Sequence, residues 1–411
     1  MKQPQLEVVV IGGGAAGFFG AIAVTNTNPH VNVTLLEAGS QPLSKVRISG
    51  GGRCNVTHHC FEPDRLVLNY PRGGKALRGA FTRFQPLDTV EWFQSRGVKL
   101  KTEADGRMFP VTDNSETIIN CLTTAASRAG VTVHTNSAVK TINKDASKFQ
   151  IELKNGRMEC DRLLIATGSN PLGYRWAKQL GHTTVTPVPS LFTFKIDDSR
   201  IKGLAGVSVD NAKVTLLISG KKTLEQTGAL LITHWGLSAP AILKLSAWGA
   251  RILHESKYNL SLKVNWLPNY NQETLKQHLL TTKGETPKKK IINYCPVPIP
   301  KRLWQSLVNY VGIKPDKIWA DINKKELNKL VSELIQGQYN IKGKGAFKDE
   351  FVTCGGVSLK EIDFKTMESK ICPHLYFAGE ILDIDGVTGG FNFQSAWTTG
   401  WLAGNAMSVS G

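Results

Sequence analysis

Three glycines and one acid near the start of the chain have types and a spacing that could do chemistry. Gly12, Gly14 and Gly17 fit the pattern G-x-G-x-x-G, and Glu37 follows twenty residues after Gly17. In this pattern the first glycine permits a tight turn, the second lets backbone amides approach a pyrophosphate, and the third lets a helix pack closely on a strand. A carboxylate at that distance can accept hydrogen bonds from a ribose. The spacing therefore predicts a site for an adenine dinucleotide.

The elements that must position these residues are a strand, a helix and a second strand. Residues 8–11 form a buried β-branched run, an apolar helix rich in small residues follows the glycines, and residues 31–36 form a second strand that ends at Glu37. The helix N-terminus supplies unpaired N–H groups and a partial positive charge for phosphates. A glycine-rich turn in an unrelated α/β fold is the alternative. This stretch alone does not distinguish FAD from NAD(P).

A second glycine-rich segment follows the second strand. The three consecutive glycines at 50–52 form neither a stable helix nor a strand interior, so they predict a loop whose backbone closely approaches another group. Lys45, Arg47 and Arg53 flank the run. Beside a diphosphate site, we interpret it as a cofactor loop that offers amides and cations to phosphate. A flexible surface loop is the alternative.

Four further residues could meet the reacting part of a cofactor or substrate. Ser49 and Asn55 could face polar groups of a ribityl chain or flavin. Cys54 is a candidate thiol beside a flavin, although a small buried residue is the plainer interpretation. His234 lies in a predicted turn between a strand and a small-residue helix, where it could be a catalytic acid, but a single histidine is more often structural. Cys54 and His234 are weak catalytic candidates, and the catalytic residues stay open.

Two later strands end in residues that suit the same site. The buried strand at 163–166 runs into Thr167 and Gly168, as in the strand that closes the nucleotide domain of two-dinucleotide flavoproteins. The buried strand at 375–378 is closed by Gly379 and Glu380, and a glycine loop then leads to a helix from about residue 391. The N-terminus of such a helix would stabilise the negative charge that a reduced flavin places on its pyrimidine ring.

The composition is that of an ordinary globular enzyme, with one uneven feature. Of 411 residues, 41% are hydrophobic and 20% are charged. The net charge is +17, and residues 195–345 contain 24 Lys and Arg against 11 Asp and Glu. A solvated basic surface is the plain interpretation, and nucleic acid, an acidic substrate or a protein partner is the alternative. No Arg-rich run interleaved with aromatics supports a nucleic-acid platform, so nucleic acid is possible but not favoured.

The cysteines and the hydropathy of the chain indicate the cellular compartment in which the protein is expected. Seven widely spaced cysteines without a C-x-x-C predict neither a disulfide framework nor a metal site. The apolar run at 8–24 is explained by the glycine motif and the strand after it, and not by a signal peptide or membrane span. We therefore expect a cytoplasmic protein that does not associate with membranes.

Five segments together resemble one known family. ISGGGRCNVT at 48–57, THWGLSAPA at 233–241, VTCGGVSLKEID at 352–363, MESK at 367–370 and LYFAGEILDIDGVTGGFNFQSAW at 375–397 resemble the bacterial NAD(P)/FAD-dependent oxidoreductases of the aminoacetone-oxidase or BaiN type. The resemblance covers nearly the whole chain. It implies an α/β fold with a discontinuous, Rossmann-like FAD domain of the two-dinucleotide-binding type, made of residues 1–191 and 346–411. Residues 192–345 would be an inserted region. Short alternating segments predict an antiparallel sheet or small barrel at about 192–270, and the resemblance implies that this part is β-barrel-like. A helical part would follow at about 271–345.

The resemblance also implies which residues hold FAD. Several are those already singled out, and others enter only through the family pattern. The expected cofactor-binding residues are Gly12, Gly14, Ala15, Ala16, Gly17, Glu37, Ala38, Lys45, Ser49, Gly50, Gly51, Gly52, Arg53, Cys54, Asn55, Val139, Thr167, Gly168, Gly379, Glu380, Gly390, Phe391 and Asn392.

Three functions are compatible with these observations. In the first, NAD(P)H reduces FAD, and reduced FAD passes hydride to a small organic acceptor such as a conjugated enone; an anionic acceptor would suit the basic segment. In the second, an amine reduces FAD and oxygen reoxidises it to give hydrogen peroxide, which the absence of a second G-x-G-x-x-G favours. In the third, the basic segment binds RNA or a protein. The substrate, the electron donor and the oligomeric state stay open.

Overall fold

The computed structural model describes residues 5–145, 147–218, 223–345 and 352–409. Two compact units make up the chain: Met1–Val188 with Val352–Gly411, and Pro189–Phe351. Residues 346–351, where the sequence predicts the return from the inserted region, lie outside the described residues.

Strands and helices alternate through the first part of the chain, as the sequence predicts for an α/β fold. In chain order, the strands of the described residues are β1 (Glu7–Ile11), β2 (Asn32–Leu36), β3 (Thr57–His58), β4 (Leu100–Thr102), β5 (Arg107–Pro110), β6 (Thr132–His134), β7 (Val139–Lys144), β8 (Phe149–Leu153), β9 (Gly156–Cys160), β10 (Arg162–Ile165), β11 (Thr184–Ser190), β12 (Phe194–Lys195), β13 (Ser208–Leu217), β14 (Leu224–Ile232), β15 (Gly236–Ser238), β16 (Asn259–Asn265), β17 (Gly337–Lys342), β18 (Val352–Val357), β19 (Ile362–Asp363), β20 (Glu368–Ser369) and β21 (Leu375–Phe377). The helices are α1 (Ala15–Thr27), α2 (Ser44–Gly52), α3 (Pro63–Leu66), α4 (Gly74–Phe81), α5 (Pro86–Gln94), α6 (Ser115–Arg128), α7 (Pro171–Gln179), α8 (Pro240–Trp248), α9 (Ala250–Glu255), α10 (Gln272–Glu285), α11 (Lys301–Tyr310), α12 (Lys324–Gln336) and α13 (Phe391–Ser408).

A seven-stranded sheet organises the first unit, in the order β19-β20-β21-β10-β1-β2-β6. The five strands from β21 to β6 run parallel, and β19 and β20 extend the sheet in antiparallel fashion. β1 is the middle strand of these five parallel strands, and its Val8, Val9 and Val10, each at most 2% exposed, offer solvent no polar face. The carboxyl ends of β1, β10 and β21 meet at one edge of the sheet, which is where ligands bind in open α/β sheets.

Helices α1 and α13 pack directly against each other. Residues 16–25 of α1 are all buried, so this helix has no solvent face in that stretch. A Cβ atom on Gly400 of α13 would lie 2.5 Å from the carbonyl oxygen of Ala16, and one on Gly404 would lie 2.4 Å from that of Gly20. These glycines therefore let the two helix backbones touch.

A six-stranded antiparallel sheet organises the second unit, in the order β12-β15-β14-β13-β16-β17. Its two outer strands also meet: the Lys195 amide donates to the Gly343 carbonyl oxygen at 2.9 Å, and the Gly345 amide donates to that of Thr193 at 2.8 Å. These bonds close the sheet on itself. The closed sheet agrees with the β-barrel-like region that the alternating segments predict.

The part predicted to be helical, at about 271–345, also contains a strand that the sequence analysis did not predict. Helices α10, α11 and α12 occupy the earlier part, but residues 337–342 form β17 and pair with β16. Burial alternates along this strand, with Gly337, Tyr339 and Ile341 buried and the residues between them exposed. A six-residue alternation that directly follows a strongly amphipathic helix is difficult to distinguish from its continuation, because both periods place apolar residues at nearby positions.

No helix of the described residues is long and apolar enough to cross a membrane.

Candidate cofactor site

The first glycine motif forms the turn between β1 and α1. Gly12 has φ of +112°, and a Cβ there would lie 2.4 Å from the Ala166 carbonyl oxygen, so only glycine fits. A Cβ on Gly17 would lie 1.9 Å from the Gly12 carbonyl oxygen. Gly14 differs, because no atom lies within 4 Å of its missing Cβ. The turn is therefore closed towards the protein and open beside Gly14, which fits a diphosphate seated against the start of α1.

Backbone amides hold the carboxylate of Glu37 in place. Its Oε2 accepts from the Gly13 amide at 2.9 Å, and its Oε1 accepts from the Gly39 amide at 2.7 Å. Each carboxylate oxygen keeps a further lone pair, which could accept from a ribose hydroxyl. Ala38, the next residue, is exposed at the same turn. Glu37 thus reaches the glycine turn from β2, as the fingerprint predicts.

The second glycine segment breaks a helix. α2 begins at Ser44, but Ser49 leaves the helical region with ψ of 149°, and Gly50, Gly51 and Gly52 have φ of 58°, 69° and 83°. No atom lies within 4 Å of the missing Cβ atoms of Gly51 and Gly52. The segment is a loop that faces open space at Gly51 and Gly52, whereas a Cβ on Gly50 would lie 2.9 Å from the Phe109 ring. An open glycine backbone is compatible with the cofactor-loop interpretation.

Lys45 and Glu380 come together from distant parts of the sequence. Lys45 Nζ lies 2.5 Å from Glu380 Oε2 and 3.3 Å from Ser169 Oγ. The other oxygen of Glu380 accepts from the Thr353 amide at 2.9 Å. A Cβ on Gly168 would lie 3.6 Å from Glu380 Oε2, and Thr167 is next to it in the chain. The ends of β10 and β21 and the start of α2 therefore meet around one ion pair.

The other two cations of this region are paired with acids. Arg53 Nη1 lies 2.6 Å from Glu103 Oε1, which raises the pKa of Arg53, and its guanidinium lies 4.0 Å from the centre of the Phe109 ring. Arg47 forms an ion pair with Glu116. Both arginines therefore pair with acids that were not predicted to bind the cofactor, whereas Lys45 pairs with Glu380, another predicted cofactor residue.

The start of α13 is fastened to the segment that follows the second glycine loop. The side-chain oxygen of Asn55 accepts from the Gly390 amide at 2.9 Å, and its nitrogen donates to the Thr57 carbonyl oxygen at 3.0 Å. Gln394 Oε1 accepts from Thr57 Oγ1 at 2.6 Å and from Thr89 Oγ1 at 2.9 Å. All of these side chains are buried or nearly so. They fix the direction in which the N-terminus of α13 points.

Comparison with known proteins decides the family. The family model described as HI0933-like protein Rossmann domain matches residues 6–406. The chain belongs to this family. As an HI0933-like protein it is a FAD-dependent oxidoreductase, which confirms the implication of the sequence resemblance.

Two curated relatives and one solved structure are similar to this HI0933-like protein over nearly its whole length. It is 29% identical over 408 residues to the ribosomal RNA dihydrouridine synthase of Escherichia coli K12, covering 97% of this chain and 96% of that one. It is 28% identical over 408 residues to the 3-dehydro-bile acid delta(4,6)-reductase of Clostridium scindens, covering 97% and 98%. The 3-ketosteroid-delta4-(5alpha)-dehydrogenase of Rhodococcus jostii RHA1 aligns with a TM-score of 0.52 at 13% identity, covering 100% and 98%. At that identity, this last likeness shows the fold alone.

The two catalytic candidates of the HI0933-like protein lie in different units. Cys54 is fully buried, and burial raises the pKa of its thiol to about 12. A thiol with that pKa stays protonated at neutral pH, which favours the packing interpretation over a reactive role. His234 is exposed in the turn between β14 and β15 of the second unit. Among the predicted cofactor residues, Val139 is the buried first residue of β7.

Sequence reasoning missed three side chains that contact the loop before α13 or the first residue of that helix. Arg72 forms a buried ion pair with Asp385, and Tyr70 donates to the Phe391 carbonyl oxygen at 2.6 Å. The His58 ring stacks on the Phe391 ring with centroids 4.7 Å apart. Two consecutive histidines, His58 and His59, follow the second glycine loop and could have drawn attention to His58. No pattern in the neighbouring sequence predicts that its ring meets residue 391.

Asn392 closes this loop onto itself. Its side chain accepts from the Gly386 amide at 2.8 Å and donates to the Gly386 carbonyl oxygen at 2.9 Å. Gly379 lies at the other end of the loop, where a Cβ would come 2.8 Å from that of Ala16. Gly379 is thus brought beside the first glycine motif, while Asn392 shapes the loop.

Among the described residues no cluster of His, Cys, Asp or Glu is arranged to hold a metal ion.

Proposed function

We propose that this protein uses FAD to reduce a carbon–carbon double bond conjugated with a carbonyl group, with NAD(P)H as the electron donor. One observation carries the proposal: two curated relatives that match nearly the full chain have names that describe this bond chemistry. Dihydrouridine lacks the ring double bond that uridine has in conjugation with a carbonyl. A delta(4,6)-reductase of a 3-dehydro bile acid acts on double bonds that can conjugate with the 3-oxo group.

The geometry of the first unit supports this chemistry at the cofactor. Bound FAD would accept hydride from the nicotinamide and donate it to the acceptor. Gly14 and Glu37 would hold its diphosphate and ribose, and the second glycine loop and Glu380 would meet the part between these and the flavin. The N–H groups of the first turn of α13 would favour negative charge on the reduced ring. Asn55 and Gln394 hold that turn in position through the bonds described above.

The charge distribution supports an anionic acceptor. Residues 195–345 carry 24 Lys and Arg against 11 Asp and Glu, so the excess positive charge lies in the region inserted into the FAD-binding sequence. A strongly positive surface raises the local concentration of negatively charged substrates. A nucleotide in RNA and a carboxylated steroid both satisfy this requirement.

The test begins with the purified yellow protein under anaerobic conditions. NADH or NADPH should bleach the flavin absorbance near 450 nm within seconds. A uridine-containing RNA or a 3-oxo steroid acid with conjugated double bonds should then restore it, with the saturated product detected by mass spectrometry. Flavin that stays oxidised with both nicotinamides contradicts the proposal. Bleaching by amines with peroxide formation in air would replace it with the oxidase function.

A further inference from the structure

The outward face of helix α12 in the second unit carries an unusual set of charges. Lys324, Lys325 and Lys329 are exposed, and none of them forms an ion pair or hydrogen bond through its side chain with another described residue. Together with Asn328 and Ser332 they line a shallow depression of about 540 Å³. These positions follow the helical repeat, so the five side chains share one face about two turns long. The opposite face, which includes Leu330 and Leu334, is buried.

The two acids of α12 do not neutralise this face. Glu326 Oε1 accepts from Lys317 Nζ at 2.6 Å, and Glu333 Oε1 accepts from Arg200 Nη1 at 2.8 Å. Each carboxylate is therefore matched by a cation from outside the helix. Neither carboxylate of α12 therefore pairs with a lysine of the outward face.

A second group of lysines lies beside the segment that leads into α12. The Lys289 carbonyl oxygen accepts from the Trp319 amide at 3.0 Å, and Lys290 pairs with Ile318 in an antiparallel bridge. Lys283 Nζ donates to the Ile322 carbonyl oxygen at 3.0 Å. Residues 283–329 contain eleven Lys and Arg against four Asp and Glu. Lys288, Lys289 and Lys290 are exposed on this neighbouring loop. We call the outward face of α12 and the loop at 288–290 together the α12 lysine surface.

We propose that the α12 lysine surface is a docking surface for the phosphate backbone of double-stranded RNA. Six exposed lysines, three on α12 and three on the loop at 288–290, suit a dense row of phosphates, because each contact releases condensed counterions. The outward face of α12 presents no aromatic side chain on which an unpaired base could stack, so it suits a duplex whose bases are inside. Asn328 and Ser332 can hydrogen-bond the 2′-hydroxyl groups that the wide minor groove of RNA displays. The inference rests on the proposed function, because the RNA would carry the uracil ring that is reduced.

The test uses the FAD-loaded full chain and a fluorescein-labelled RNA duplex of about 20 base pairs. Binding of the duplex is measured by fluorescence anisotropy at KCl concentrations from about 50 to 300 mM. The variant K324Q/K325Q/K329Q should bind about tenfold more weakly at low salt, and the slope of log K against log salt should become shallower by about 2 to 3. The control K75Q/K154Q/K178Q removes the same charge from exposed residues of the first unit. It should change the affinity less than about twofold.

Three outcomes would overturn the proposal: no binding of the duplex by the unaltered protein, equal weakening by both triple variants, or binding of a DNA duplex of the same sequence as tight as that of RNA. Circular dichroism and thermal melting of the variants show that they are folded. Anaerobic bleaching by NADPH, measured on the same preparations, reports on the proposed function separately. If NADPH bleaches the flavin but K324Q/K325Q/K329Q binds the RNA duplex as tightly as the unaltered protein, the α12 lysine surface is rejected and the proposed reductase function stands. If NADPH does not bleach the flavin but the variant binds RNA more weakly, the reductase function is rejected and the α12 lysine surface stands.

Discussion

Lys45 Nζ and Glu380 Oε2 lie 2.5 Å apart, so the start of α2 and the end of β21 are joined by a single ion pair beside the glycine turns. The Lys45 side chain is 51% exposed, and such a pair contributes only about 0–1 kcal/mol to folding. We therefore expect Lys45→Met to shift the melting temperature of the apoprotein by no more than about 2 °C. The dissociation constant of FAD, measured by flavin fluorescence, should rise about tenfold through loss of a charged contact. Lys75→Met is the matched control at an exposed lysine, and an equal effect of both variants would remove Lys45 from the site.

The contrast between two glycines gives a second prediction. Gly14 has φ of −91° and open space at its missing Cβ, so Gly14→Val should fold normally and yet purify without FAD. A side chain on Gly400 would meet the Ala16 carbonyl oxygen, so Gly400→Val should push α1 and α13 apart and destabilise the fold by about 1–3 kcal/mol. The ratio of absorbance at 450 and 280 nm and urea unfolding distinguish the two effects. A yellow Gly14→Val protein with full FAD occupancy would contradict the assignment of the diphosphate site.

His182 makes the stability of the protein depend on pH. Its side chain is buried, with Nδ1 3.1 Å from Glu361 Oε2 and Nε2 2.8 Å from Ser369 Oγ. Burial lowers its pKa in spite of the neighbouring carboxylate. The unfolded chain, with an ordinary pKa of about 6.5, then binds more protons than the folded one below that pH. This contribution to stability is complete above the ordinary pKa and is lost as the pH falls towards the lowered one.

Urea unfolding of the wild type between pH 7.5 and 5.5 should accordingly give midpoints that fall with pH. In His182→Gln, which can keep both hydrogen bonds without a titrating ring, the fall should be shallower. The comparison isolates His182 because the other histidines are the same in both proteins. Parallel curves for the two proteins would show that His182 does not govern the pH dependence.

Cys54 should be chemically silent in the native protein. With a pKa of about 12, its thiolate fraction at pH 8 is on the order of 10⁻⁴, and the side chain is fully buried. Iodoacetamide should therefore label the partly exposed Cys60 well before Cys54, as peptide mass spectrometry would show. Cys54→Ala should retain flavin bleaching by NADPH within about threefold. Fast labelling of Cys54, or loss of bleaching in the variant, would restore it as a catalytic candidate.

The parts of this fold that the sequence predicts are those encoded by neighbouring residues. The strand–turn–helix around Gly12 and the helix that begins at Phe391 both follow from local patterns. The parts that escape prediction depend on contacts between distant residues. The strand β17 directly follows an amphipathic helix in the sequence, and it is a strand only because β16 lies beside it.

The same distinction applies to the candidate site. The position of Glu37 follows from its spacing to the glycines, since one strand and one turn separate them. The buried pair of Arg72 and Asp385 and the bonds of Gln394 to Thr57 and Thr89 join segments more than three hundred residues apart. No periodicity records such a pairing, because it arises only after the sheet has brought the segments together.

The discontinuity of the first unit has a consequence for how the chain acquires its structure on the ribosome. β1 and α1 are translated early, but their partners β21 and α13 follow only after the whole second unit. The second unit is continuous in sequence, and its closing strand β17 precedes both of them, so it could fold first. Pairings between remote residues form slowly. We therefore expect nascent chains to expose the apolar surface of α1 until α13 has emerged, which makes the interval between these two helices the period of greatest dependence on chaperones.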